Sequence, residues 1–166
     1  MNLFLLRHSK SSLIASDIND HDRPLSKEGL IDSSIICKYI IDNNIMFDFI
    51  LCSSSLRTIE TLNSIKINNK KAFKKIKVDP ELYLAPETYI SKKVIELDYK
   101  NILVIGHNPG ISRFISILSA SDYIDYPPTT FAKFSLVNDS ASYNEVVVEF
   151  VLTADNGKIS YFANFQ

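Results

Sequence analysis

Three apolar runs that each end in a polar cluster constrain this chain most. Asn2 to Leu6 leads into Arg7-His8-Ser9-Lys10. Asp48 to Cys52 leads into Ser53-Ser54-Ser55-Leu56-Arg57. Asn101 to Gly106 leads into His107-Asn108-Pro109-Gly110. Short, continuous apolar runs of this kind suit strands covered on both faces, as in a parallel sheet.

The segments between them read as helices. Ser26 is placed to cap a helix with Leu30, Ile31, Ile35, Tyr39 and Ile40 on one side. A second helix carries Arg57 in its first turn, with Ile59, Leu62 and Ile65 at near-helical spacing. Ile76 and Val78 begin a further strand. Pro86 opens a helix through Leu97 as its first residue, and Asn108 caps another with Pro109 at its first position. The last of these carries Ile111, Phe114, Ile115 and Leu118. The tail changes character: Phe131 to Val137, Glu145 to Leu152 and Lys158 to Phe162 read as strands, and Asn156-Gly157 is a hairpin turn signal. Strand-helix alternation followed by a meander predicts a three-layer α/β sandwich, its sheet mostly parallel with an antiparallel edge. The 166 residues suit one domain, 1–166, with no repeat or linker.

Composition narrows the function. A formal net charge of -1 argues against a general nucleic-acid binder, which needs excess Lys and Arg. No apolar run is long enough to span a bilayer, and the apolar start lacks the flanks of a signal peptide. Cys37 and Cys52 show neither a disulfide framework nor a zinc spacing, so reduced thiols in a cytoplasmic protein are the simplest expectation.

In open α/β sheets, ligands bind outside the carboxyl ends of the strands. The three polar clusters therefore converge, bringing together two histidines and two arginines. Guanidinium forks match phosphate oxygens, and a helix N-terminus adds free N–H groups, so the site expected is an oxyanion site that takes phosphate or sulfate.

Several blocks in order carry a resemblance. They are Arg7-His8-Ser9-Lys10; Asp20-His21-Asp22-Arg23-Pro24-Leu25-Ser26-Lys27-Glu28-Gly29; Ser53 with Arg57 and Thr61; Leu82-Tyr83-Leu84-Ala85; and Gly106-His107-Asn108-Pro109-Gly110. Together they resemble the histidine phosphatase superfamily, which has the phosphoglycerate-mutase-like fold, and within it the SixA-like phosphohistidine phosphatases. The match runs from about residue 3 to 137. The resemblance implies that His8 is the nucleophile, that Arg7 and Arg57 neutralise phosphoryl oxygens, and that His107 donates to them. Lys10, Ser53 and Asn108 are implied as substrate contacts. No cofactor is expected, and no metal, because the basic side chains supply the positive charge.

Larger superfamily members carry a general acid where Leu84 stands here. Asp20, Asp22 and Glu81 are the nearby carboxyls that could replace it. A missing acid favours a P–N substrate, because imidazole leaves far more readily than an alkoxide. The absence of long insertions between the blocks suits a groove open to a phosphorylated protein.

Other readings stand beside this one. Cys52 and Arg57 are one residue short of the Cys-x5-Arg spacing of cysteine-dependent phosphatases, with no glycine between them. A catalytically silent phosphate-binding module and an enzyme on small phosphoesters are the alternatives by function. His21 reads as a solvated loop residue, Tyr83 as wall or core, and Lys70 to Lys77 as a solvated face. Ser53 and Thr61 either serve the pocket or cap and pack. Asp22 with Arg23 reads as a loop ion pair.

Overall fold

The computed structural model describes residues 1–12, 19–68, 73–136 and 145–162. The apolar runs form the centre of a seven-stranded sheet. Strand β1 is Asn2–Arg7, β2 Phe47–Ser53, β3 Phe73–Asp79, β4 Asn101–Gly106, β5 Thr130–Leu136, β6 Val146–Asp155 and β7 Lys158–Tyr161. Their order across the sheet is β3-β2-β4-β1-β5-β6-β7. β1 pairs parallel with β4 and antiparallel with β5, so the first run lies where the parallel half meets the antiparallel edge.

The helices are α1 Lys27–Asp42, α2 Leu56–Asn68, α3 Glu87–Ile95 and α4 Gly110–Leu118. Side chains alternate across each strand, so β1 feeds two cores. Leu3 and Leu5 pack with Phe49, Leu51, Ile102 and Val104 against Ile90 of α3 and Phe114 of α4. Phe4 and Leu6 pack with Ile50, Leu103 and Ile105 against Ile36 and Ile40 of α1 and Leu62 and Ile65 of α2. The result is three layers: two helices, sheet, two helices. Among the described residues, no helix is long and apolar enough to cross a membrane.

Helix α1 buries only part of the face expected: Ile40 is buried, and Ile35 and Tyr39 pack against the core. Ser26 Oγ does accept from the Gly29 N–H, at 3.0 Å, but Leu30 and Ile31 are exposed. With Ile40, the buried residues are Gly29, Asp32, Ser33, Ile36 and Cys37. The apolar count misleads because polar residues have work inside. Asp32 accepts from the Gly157 N–H, tying α1 to the β6–β7 turn. A Cβ at Gly29 would lie 2.0 Å from the Lys10 carbonyl oxygen, so the glycine lets the helix touch the loop after β1.

Two helix starts also differ. Pro86 and Pro109 lie one residue outside their helices. Asn108 caps nothing; its amide donates to the Asp125 carboxylate and the Tyr126 carbonyl. Helix α3 stops at Ile95, two residues short of Leu97.

At the tail, β6 runs three residues past Leu152 because its pairing with β7 continues to the turn. Asn156 and Gly157 both have positive φ, 50° and 76°, as a two-residue hairpin of this type requires. Val137 lies outside the described residues. So do Lys70 and Lys71. Of the lysine-rich stretch, Lys74, Lys75 and Lys77 lie on the outer strand β3, where charge discourages pairing with another sheet.

Candidate active site

Strands β2, β4 and β1 are neighbours in the sheet, so their carboxyl ends meet. The His8 N–H extends the ladder by donating to the Gly106 carbonyl at 3.1 Å, which sets His8 beside the start of the next cluster. The His8 and His107 rings lie 5.0 Å apart, centroid to centroid. Arg57 enters from the first turn of α2, and its Nε donates to His8 Nε2 at 3.2 Å. All three side chains are buried.

These contacts fix the tautomer of His8. Its Nδ1 lies 2.8 Å from the Ser9 carbonyl, which can only accept. Nδ1 therefore carries the proton, and Nε2 presents a lone pair. Burial pushes the His8 pKa down to about 3, with the charges of Arg57 and Arg7 acting in the same direction. The ring is thus a neutral nucleophile aimed through Nε2.

His107 is also neutral, its pKa lowered to about 2 by burial and by His8 and Arg57. Its Nε2 is 2.8 Å from Ser53 Oγ, while its Nδ1 is buried without a partner. With Ser53 donating to Nε2, the proton would sit on Nδ1 as a free N–H. Arg7 Nε is likewise buried and unpartnered, while its Nη1 donates to the Tyr126 carbonyl. Buried donors without partners are costly, and a bound oxyanion is the natural acceptor for these two.

The two histidines carry a testable pH signature. Their folded pKa values lie below the ordinary 6.5, so between about 3 and 6.5 the unfolded chain binds more protons than the folded one. Their contribution to stability is complete above pH 6.5 and is lost as pH falls through that window. Expected in NMR titration are His8 and His107 ring resonances that keep their neutral-imidazole shifts from pH 8 to about 5. Titration of either ring near pH 6.5 would contradict the assignment.

Thr61 ties the parts together. Its Oγ1 accepts from the Ser9 N–H at 3.0 Å and donates to the Arg57 carbonyl at 2.7 Å, linking the His8 loop to α2. On the other side, a Cβ at Gly110 would lie 2.0 Å from the Ala85 carbonyl oxygen. That glycine seats the His107 loop against the Leu82–Ala85 block, which brings Tyr83 over the site. The Tyr83 ring meets the His107 ring edge-on at 5.3 Å, and the Arg57 guanidinium lies 5.7 Å from its centroid.

Not every expected contact lies here. The ammonium of Lys10 is engaged by Glu28 in an exposed ion pair. Asn108 reaches the site only indirectly, through the Tyr126 carbonyl that also receives Arg7. Glu81 accepts from the Tyr89 hydroxyl in an exposed position. Asp22 pairs with His21 and not with Arg23. Leu84 is exposed and apolar.

Asp20 is at the site, but as an anion. The Tyr83 hydroxyl, Arg23 and Arg57 all bond to it and hold its carboxyl well below the usual carboxylate range. A group in that state has no proton to give at neutral pH. Burial meanwhile pushes the Cys52 thiol up to about 12, and its Sγ faces the Ser53 and Thr58 carbonyls. Cysteine-based chemistry therefore has no thiolate to use.

The sequence reading missed His21. Its Nε2 lies 2.9 Å from Ser54 Oγ, and its ring meets Tyr83 at 4.9 Å, so it sits beside the ring that covers the site. The available signal was its place between two aspartates of a recognisable block.

No family model matches the chain. An uncharacterized protein of Mycobacterium leprae is 31% identical over 121 residues, covering 70% of this chain and 72% of that protein. An uncharacterized chloroplastic protein of Arabidopsis thaliana is 32% identical over 134 residues, covering 72% of this chain. The match spans 59% of the Arabidopsis protein, less than two thirds of its length. Among solved structures, the candidate phosphohistidine phosphatase SixA of Nakamurella multipartitia superposes with a TM-score of 0.77 at 22% identity, covering 92% of this chain and 95% of that one. The protein histidine phosphatase SixA complexed with tungstate gives 0.77 at 20% identity, covering 92% and 97%. At these identities the likeness establishes the fold.

Proposed function

Because the chain belongs to the family of the Mycobacterium leprae protein and has the fold of the histidine phosphatases, we propose that it is a phosphatase working through a covalent phosphohistidine on His8. The observation that carries this reading is the unprotonated His8 Nε2, held 3.2 Å from Arg57 Nε and beside the ring of His107. A tetrahedral oxyanion suits the surrounding donors, and tungstate is such an anion in a neighbour of the same fold.

The steps follow from the side chains. As the Arg57 Nε–H turns from His8 Nε2 to a phosphoryl oxygen, the freed Nε2 lone pair attacks phosphorus while the bond to the leaving group breaks. Arg57, Arg7 and the free N–H of His107 take the charge that gathers on the non-bridging oxygens. The leaving nitrogen or oxygen departs with the bonding electron pair and takes up a proton. Water then attacks the phosphoryl group on Nε2, phosphate leaves, and His8 regains its lone pair. Protein groups supply all the positive charge this scheme requires, so no metal enters it.

The leaving group is read from the proton supply. Leu84 has no proton to donate, and Asp20 is held as an anion. Imidazole needs little help to leave, whereas an alkoxide needs a great deal. The reading therefore favours phosphohistidine in a partner protein, handled by one catalytic domain over 1–166 in the cytoplasm.

A substrate panel in EDTA tests this. Phosphohistidine protein and an aryl phosphate should turn over, with alkyl phosphomonoesters slower by about 10²-fold or more, the usual worth of a general acid. Alkyl esters as the best substrates, with activity lost on replacing a carboxylate, would instead favour small phosphoesters. Loss of activity in EDTA would remove the metal-free scheme.

A further inference from the structure

Arg57 has one fork, and part of the protein already sits in it. Its Nη1 donates to the Asp20 backbone carbonyl, and its Nη2 to Asp20 Oδ2 at 3.0 Å. The same carboxylate receives the Tyr83 hydroxyl on Oδ2, and Arg23 Nη1 on Oδ1 at 2.9 Å. Two acceptor oxygens of one residue thus take the donors that a phosphoryl group would need. We propose that Asp20 is a built-in competitor for the oxyanion, which a phosphoryl group must displace from Arg57. The inference rests on the phosphatase reading of this site and adds a residue that sets its selectivity.

Three features support displacement over simple support of Arg57. First, Arg57 is fixed without Asp20, through its buried side chain and its bond from Nε to His8. Second, Asp20 lies on a short 3-10 turn, Asp20–Asp22, none of whose residues is buried. Third, the ion pair is lopsided: the Arg57 side chain is 4% exposed and that of Asp20 43%. With one partner half-exposed to water, the Arg57–Asp20 pair is open to exchange with a ligand of higher charge. Arg23 is anchored to the Ser12 carbonyl and Ser11 hydroxyl, so it can retain Asp20 at Oδ1 after Arg57 lets go.

The consequence is selectivity by size. A phosphoryl group on a protein arrives with contacts elsewhere that help it displace Asp20. Free phosphate has none, so Asp20 weakens product inhibition.

The test is titration calorimetry with inorganic phosphate, together with product-inhibition constants against an aryl phosphate. Asp20→Asn keeps the size and removes the charge. It should bind phosphate about tenfold more tightly, the scale of a screened unit charge near the fork. Tyr83→Phe removes one donor to the carboxylate and should tighten binding by about two- to threefold, the worth of a partly exposed contact. It carries the test if Asp20→Asn fails to fold. Equal or weaker phosphate binding in a folded variant would overturn the proposal, since that is what a mere support of Arg57 predicts. The two readings fail separately. If wild type traps phosphate on His8 but the variants bind no tighter, only the competitor falls. If the variants bind tighter but no phosphoenzyme ever forms, the competitor stands and the covalent mechanism falls.

Discussion

His8→Ala should abolish turnover of a phosphohistidine protein and of an aryl phosphate alike. The expected drop is about 10⁴-fold or more, as when a covalent nucleophile is removed from a site whose parts act together. No neighbouring group can take its place. His107 Nε2 is engaged by Ser53, and the Cys52 thiol is pushed up to about 12 by burial. Binding of phosphate should largely persist, because Arg57, Arg7 and His107 remain. A steady-state assay beside phosphate titration separates the two effects. Full activity in this variant would end the mechanism.

Arg57→Ala is expected to lower kcat/KM by about 10²- to 10³-fold, the range for losing a transition-state donor. Two losses combine. The guanidinium no longer meets the phosphoryl oxygens, and its Nε no longer holds His8 Nε2 in line. Lysine should restore little, because an ammonium cannot supply the planar fork or reach His8 in the same geometry. Chevron or melting data on the variants will show whether the fold survives. The expectation is that it does, since the ion pair lost is with half-exposed Asp20.

Much of this was legible in the sequence because two periodicities and one rule suffice. Leu3 to Leu6 and Ile102 to Ile105 are apolar on both faces, which only a covered strand allows, and polar groups at strand ends then mark the ligand side. His8, Arg57, His107 and Ser53 accordingly come together. The errors share one cause: sequence position does not reveal which partner a polar group will take. Leu30 and Ile31 looked buried because they are apolar, but Asp32 was needed inside to hold the Gly157 N–H. Lys10 follows His8 closely, yet its ammonium goes to Glu28. Asp20 suggested an acid, but three donors make it an anion. His21 looked solvated because its contacts with Ser54 and Tyr83 come from distant segments.

The glycines show the opposite case, where sequence marks a contact without naming it. Gly29 and Gly110 each leave room for a carbonyl that a methyl group would meet at 2.0 Å. Each closes a loop that carries part of the site.

In the mechanism proposed, phosphorus passes onto the first imidazole. Rapid acid-free quenching during turnover of a radiolabelled phosphate ester, followed by peptide mapping, measures this directly. Acid-labile label is expected on the peptide that carries His8, absent in His8→Ala. Label on any other residue, or turnover with no labelled protein at all, would contradict it.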